Sequence, residues 1–356
     1  MTTDARFPTI VCAGPARRGQ EGWGVLARRM SRLLWAVCLA GLVLVGLGRL
    51  RLWAQSPAGA SVQAPAWLVR PAASLRVASV QMRSSPSLGE NVARIRQHLQ
   101  QCAQQQVRVA VFPECALTGY DGERIVRYTA EELAAAQAEV AQACRELGLY
   151  AVLGTPCRLA GKLYNTALVI DPAGRVIHRY HKIQLAEPWP EAGNELAVFP
   201  VDGVPCAIII CHDERYPELV RLPVLAGARV LFYLSHESGL HQEHKLGPYR
   251  AQIQARAVEN TIYVVQANAP ANADATGSHG HSRLIAPDGN LIQEASIFGE
   301  ELLVATLDIR QATRANALKS LTRGPLVDWW RQGLARVRIV EPPDAAELPA
   351  LPGDRP

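Results

Sequence analysis

None of the eight cysteines in this 356-residue chain forms a C-x-x-C pair. That removes the usual spacing of zinc ribbons and dithiol redox sites. No Gly-rich phosphate loop and no dinucleotide fingerprint is present. Aromatic RNP runs and Cys/His fingers are missing too, so the formal charge of +5 points weakly to nucleic acid. Much of that positive excess sits in the first 51 residues, which hold several arginines and few acids. With 49% hydrophobic and 19% charged residues, the chain can bury a sizeable core and does not read as disordered.

Cys12 and Cys38 fall in an N-terminal extension, and Cys102, Cys115, Cys144, Cys157, Cys206 and Cys211 lie mostly in apolar or helical contexts. Buried small thiols are expected there. A disulfide framework is not expected in a domain this large, although export would permit one or two bridges.

Leu33 to Gly48 reads LLWAVCLAGLVLVGLG, without a charge, between Arg28, Arg29 and Arg32 on one side and Arg49 and Arg51 on the other. Sixteen residues make roughly 24 Å of helix, a little short of a full span. Leu50, Leu52 and Trp53 with snorkelling arginines would lengthen it. We therefore expect residues 1–54 to be a signal or membrane-anchor segment, with a small-residue cleavage site at Ala58-Gly59-Ala60. The remainder of the chain would then be exported: anchored to the membrane, secreted or periplasmic. A Pro/Ala/Ser/Gln-rich stretch over 55–71 reads as a linker, which argues against a buried core helix.

From Leu75 onward, β-type runs alternate with helical patterns. Strands are expected at Val77–Met82, Val107–Phe112 and Tyr150–Leu153, with helices over Asn91–Gln105 and Ala130–Leu147. Tyr164–Ile170 and Val176–Tyr180 flank the turn Asp171-Pro172-Ala173-Gly174 as a hairpin. The pattern then repeats: strands at Val204–Ile210, Val230–Leu234 and Ile262–Gln266, and helices at Tyr216–Leu225 and Tyr249–Asn260. A second hairpin surrounds Pro287-Asp288-Gly289-Asn290, and Leu302–Leu307 is the last expected strand. Two such halves packed sheet against sheet make an α/β, four-layer αββα sandwich over residues 72–315. Residues 316–356 form a tail, which Trp329-Trp330 could dock to the body or to a second subunit.

Three segments fall at predicted strand ends, where loops converge over a rigid sheet. They are Phe112-Pro113-Glu114, Tyr180-His181-Lys182-Ile183 and Ile210-Cys211-His212-Asp213. A thiol with a pKa near ~8.5 needs help to ionise at neutral pH. A lysine ammonium lowers that pKa and attracts a developing oxyanion, while a carboxylate can take the thiol proton and later activate water. Each residue alone has an ordinary structural reading; their joint occurrence at strand ends carries the argument.

This arrangement resembles the nitrilase (carbon–nitrogen hydrolase) superfamily over about Val77 to Leu307. Supporting stretches are Leu163-Tyr164-Asn165-Thr166-Ala167, Arg256-Ala257-Val258-Glu259-Asn260 and Gly280-His281-Ser282. The resemblance implies a Glu114–Lys182–Cys211 triad with Cys211 as nucleophile and Glu114 as general base and acid. It also implies an oxyanion site formed by Lys182 and the His212 backbone N–H. A second glutamate is implied before Gly193: Glu187, with Glu191 as the rival. His212-Asp213 follows the nucleophile where nitrilases resemble a Trp-Glu pattern, so an amide or N-carbamoyl substrate is favoured over a nitrile. Gln184 stands where the family often has histidine. No cofactor or metal is implied, and the family's habit implies a homo-oligomer. Acyl transfer and a noncatalytic binding or scaffold role are the competing readings. His236, His241 and His244 match no metal-ligand spacing and are read as part of a loop over the pocket.

Overall fold

The computed structural model describes residues 64–341. In its first half, β1 (Ser74–Gln81), β2 (Val109–Val111) and β3 (Tyr150–Leu159) run parallel. The hairpin β4 (Lys162–Ile170) and β5 (Val176–His181) continues the sheet antiparallel. The second half opens with β6 (Leu196–Val201), antiparallel to β7 (Val204–Ile210). The parallel run β7, β8 (Val230–Ser235), β9 (Tyr263–Asn268) and the antiparallel pair β10 (Arg283–Ile285), β11 (Leu291–Glu294) repeat the plan. Strand β12 (Glu301–Asp308) crosses back to pair antiparallel with β1, Ser74 opposite Asp308, and β13 (Val337–Ile339) adds parallel to β6. The sheets therefore read β12-β1-β2-β3-β4-β5 and β11-β10-β9-β8-β7-β6-β13.

Eight α-helices accompany these strands among the described residues: α1 (Ala66–Val69), α2 (Leu88–Gln104), α3 (Gly122–Ile125), α4 (Ala130–Leu147), α5 (Glu218–Ala226), α6 (Leu246–Val258), α7 (Ala315–Leu318) and α8 (Val327–Leu334). The central strands carry apolar residues on both faces, so each face needs its own cover. Leu75 and Val77 of β1 join Ile208 and Ile210 of β7 and Phe232 of β8 in one buried cluster between the sheets. Ala78 and Val80 face the other way, onto Val92, Ile95 and Leu99 of α2 and Val140 and Cys144 of α4. Ile209 and Leu231 do the same against Val220 and Val224 of α5 and Ile253 of α6. The result is helix, sheet, sheet, helix, the αββα order. Helix α4 is fixed at both ends by local chemistry. Thr129 and Glu132 form a reciprocal capping box, and Gly148 closes the helix in the left-handed region at φ 67°.

The structure departs from the expected boundaries in several places. Helix α1 lies inside the stretch 55–71 expected as a linker, and Trp67 and Leu68 pack onto the α5–α6 side of the second sheet. The described part of the tail expected from 316 docks to the body: Trp330, Leu334, Val337 and Ile339 pack into that same cluster. Trp330 docks there with Arg221 over its ring at 5.9 Å, while Trp329 stays 49% exposed. Strand β6 lies outside the expected strands, and β12 is followed by β13. Strand β3 runs six residues beyond Leu153, because past Val152 it pairs with β4 alone and an edge strand tolerates Pro156. Leu33–Gly48, Cys12 and Cys38, the cleavage site at 58–60 and residues 342–356 lie outside the described residues. Among the described residues, no helix is long and apolar enough to cross a membrane.

Candidate active site

Glu114 follows the end of β2 on a turn that presses onto β3. The fit depends on Gly154, where a Cβ would overlap the carbonyl oxygen of Pro113 and crowd the Glu114 backbone. Lys182 directly follows β5, its N–H donating to the Asn165 carbonyl at 2.8 Å. The chain then loops out through Glu187 and returns at Gly193, whose N–H bonds the Lys182 carbonyl at 2.8 Å. Cys211 terminates β7 and opens the 3₁₀ turn Cys211–Arg215. It does so at φ 44°, in the left-handed region that costs a non-glycine residue of order 1–3 kcal/mol.

Three of the sequence-predicted residues meet in one buried charge cluster. Lys182 Nζ lies 2.8 Å from Glu114 Oε1 and 2.8 Å from Glu187 Oε2. The Asn165 amide ties the two carboxylates together, donating to Glu114 Oε1 at 2.7 Å and to Glu187 Oε1 at 2.6 Å. Glu114 Oε2 accepts the His236 backbone N–H at 2.9 Å. Burial alone would push the Lys182 ammonium down, but Glu114 first, then Cys211 and Glu187, outweigh it and hold the amine protonated. Burial raises both carboxyl groups, with different outcomes. For Glu187 the Lys182 charge and the surrounding hydrogen bonds prevail and hold it below the usual carboxylate range. For Glu114 burial wins, aided by the Glu187 charge. One cation thus faces two acids: Glu187 is its standing counterion, and Glu114 is the carboxylate readier to take a proton.

Cys211 and His212 line a cavity of about 330 Å³ with Tyr120, Arg215, His236 and Tyr249. That volume suits a small molecule. Cys211 Sγ sits 3.9 Å from the His236 carbonyl, and the Tyr233 hydroxyl donates to the Cys211 carbonyl at 3.3 Å. Burial pushes the Cys211 thiol well up and Glu114 adds to this, while Lys182 pulls it down. The resting group is therefore a thiol that needs a base. A flat pair also lines the cavity: Tyr120 and His236 stack at 4.7 Å and 9°, and burial lowers His236 to about 4, leaving it neutral. Glu237 carries a further buried network, accepting from the Tyr233 hydroxyl at 2.7 Å and facing His279 Nε2 at 2.9 Å.

The other expectations separate cleanly. Glu191 does not enter the cluster; its carboxylate is 58% exposed and 4.0 Å from Lys162. Cys115 is a buried thiol 3.8 Å from Asn165 Oδ1, and burial raises it well above the ordinary range. His241 and His244 are exposed, and only His236 of that trio lines the cavity. Asn165 had no role assigned from the sequence. Its signal was a pair of uncharged polar residues, Asn165 and Thr166, in an otherwise apolar strand. Buried polar groups in such positions have partners to satisfy.

The description "carbon-nitrogen hydrolase" belongs to the family model that matches residues 76–317. The 2-oxoglutaramate amidase of Bacillus subtilis (strain 168) is 31% identical over 210 residues, 57% of this chain and 79% of that protein. The deaminated glutathione amidase of Synechocystis sp. (strain PCC 6803 / GT-S) is 30% identical over 240 residues, 61% of this chain and 86% of its own. Among solved structures, a mutant of the amidase from Nesterenkonia sp. AN1, showing Michael addition of acrylamide at its active site cysteine, superposes with a TM-score of 0.61. It is 25% identical, covering 69% of this chain and 99% of that one.

Proposed function

We propose that this chain, which belongs to the carbon–nitrogen hydrolase (nitrilase) superfamily and is a hydrolase of non-peptide carbon–nitrogen bonds, cleaves a small amide through a thioester on Cys211. The observation that carries the reading is the contact of Lys182 with Glu114, in a buried cluster whose charges act on a cavity-lining thiol. Glu114 takes the Cys211 proton as sulfur attacks the amide carbon, and the charge gathers on the former carbonyl oxygen. Lys182 has three N–H donors and contacts three carboxylate oxygens, Glu114 Oε1 at 2.8 Å and Glu187 Oε2 and Oε1 at 2.8 and 3.0 Å; one donor turns from Glu187, which keeps its other oxygen on the amine, to that oxygen. The His212 backbone N–H, at the start of the 3₁₀ turn, supplies the second donor. The intermediate collapses as Glu114 returns its proton to the leaving nitrogen, releasing ammonia. Water then attacks the thioester with Glu114 again as base, and the free acid leaves.

Arg215 bears on the choice of amide. It lines the cavity, lies over the Tyr249 ring at 5.5 Å, and pairs with no carboxylate among the described residues. A guanidinium so placed favours an amide that also carries a carboxylate, a description that fits 2-oxoglutaramate, the substrate named for one relative. The test is ammonia release from neutral amides, carboxylate-bearing amides, N-carbamoyl compounds and nitriles, using wild type, Cys211→Ala and Arg215→Leu. We expect turnover of amides that vanishes in Cys211→Ala. Arg215→Leu should raise KM about tenfold for the carboxylate-bearing amides alone, the order of one charge-assisted hydrogen bond. Turnover that survives in Cys211→Ala would refute the thioester route, and preference for an N-carbamoyl compound would displace the amide.

A further inference from the structure

The carboxylate of Asp213 is fully buried and accepts four hydrogen bonds, three from backbone N–H groups on two separate stretches of chain and one from a tyrosine hydroxyl. Its Oδ1 takes the N–H groups of Gln184 at 2.7 Å and Ile183 at 3.2 Å, the two residues after Lys182. Its Oδ2 takes the N–H of Ile210, the residue before Cys211, at 3.0 Å, and the hydroxyl of Tyr180, two residues before Lys182, at 2.8 Å. Among the described residues, no other side chain hydrogen-bonds to both backbone segments. We propose that Asp213 is a positioning residue that sets the Lys182 ammonium against the Cys211 thiol; this rests on the roles given to those two residues above. The nucleophile needs such a tie, because its left-handed backbone persists only where neighbouring contacts over-determine it. The two segments come from different sheets, β5 from the first and β7 from the second, and Asp213 bonds to both. A displacement of about 1 Å between reacting groups is enough to cost ~10²-fold in rate.

Asp213→Asn keeps the size but replaces one accepting oxygen with an NH₂ that cannot accept from the N–H groups it faces. The readouts are kcat and KM on the best amide, the melting temperature, and the rate of Cys211 alkylation by iodoacetamide across pH. We expect kcat to fall about 10²-fold with KM within about threefold, and the alkylation profile to move to higher pH as Lys182 loses its hold on the thiolate. The sign discriminates: merely deleting a negative charge beside the thiol would move the profile to lower pH. A well-folded variant with wild-type kcat, or one whose profile moves down, overturns the proposal. So does a lower melting temperature with unchanged kcat per folded molecule. Should Asp213→Asn not fold, Tyr180→Phe removes one of the four bonds. It should lower kcat several-fold and shift the profile the same way, and no change in either refutes the role. Wild-type protein with neither turnover nor labelling at Cys211 would instead defeat the underlying catalytic reading.

Discussion

Replacing Glu187 with glutamine probes the division of labour between the two acids around Lys182. Oxygens of Glu114 and Glu187 both lie within 2.7 Å of the same Asn165 nitrogen, so they stand no more than about twice that distance apart. Two unit charges about 5 Å apart, at an effective dielectric of 20, repel by about 3 kcal/mol. That repulsion helps raise the Glu114 carboxyl. Removing it leaves Glu114 alone with the ammonium, and the carboxyl becomes more acidic and a weaker base. With about half of that energy expressed at the proton-transfer transition state, kcat falls by about tenfold. The acid limb of kcat/KM moves to lower pH, because Glu114 stays ionised further down the scale. The glutamine amide retains an acceptor for Lys182, so the fold should survive. Steady-state ammonia release from pH 5 to 9, with melting curves to confirm folding, reads both effects. A folded Glu187→Gln enzyme whose kcat stays within twofold of wild type and whose acid limb does not move would show that Glu187 does not tune Glu114.

Two further substitutions test the scaffold. Gly154→Ala should destabilise by about 1–3 kcal/mol and depress activity along with it, because the new methyl must displace the Pro113 carbonyl and the Glu114 backbone behind it; urea unfolding that matches wild type would contradict the close approach. Cys211→Gly and Cys211→Ala should both be inactive, with the glycine variant more resistant to heat by about 1 kcal/mol, since glycine takes φ 44° without the Cβ clash. A glycine variant that melts below the alanine one would mean that the elbow is not strained.

Periodicity made most of the fold legible. Helix α4 spans the residues its Ala/Glu-rich pattern predicts, and β7 spans its buried apolar run. What escaped were elements that break their own pattern. Strand β6 contains Pro200 and is identified mainly by its turn, Asp202-Gly203, both at positive φ (48° and 74°) as a type I′ hairpin requires. Strand β13 is three residues long and acquires its partner only in three dimensions. At the site, strand ends pointed to Glu114, Lys182 and Cys211, because ends are where side chains can leave the sheet. The second glutamate was undecided between Glu187 and Glu191 because both fall in one irregular loop, and only the folded path of that loop determines which carboxylate reaches Lys182. Asp213 is visible as part of a motif, but its partners lie up to thirty-three residues away in sequence, which no local pattern encodes.

The repeat itself accounts for where the cluster forms. Strands β2 and β8 hold matching places in the two sheets, each the middle of three parallel strands. The residues beyond their ends, Glu114 and His236, meet directly, carboxylate to backbone N–H at 2.9 Å. The two equivalent loops therefore face each other where the sheets pack, and each half contributes something different there. The first half supplies Glu114, Asn165, Lys182 and, in the loop beyond β5, Glu187; the second supplies Cys211 at the end of β7 and Asp213 beside it. Neither half holds both Glu114 and Cys211, so the proposed base and nucleophile meet only through the packing of sheet on sheet. Core contacts between the sheets, such as the 2.5 Å bond from Ser79 of β1 to the Gln266 carbonyl of β9, would on the proposed mechanism bear on catalysis without touching the cavity.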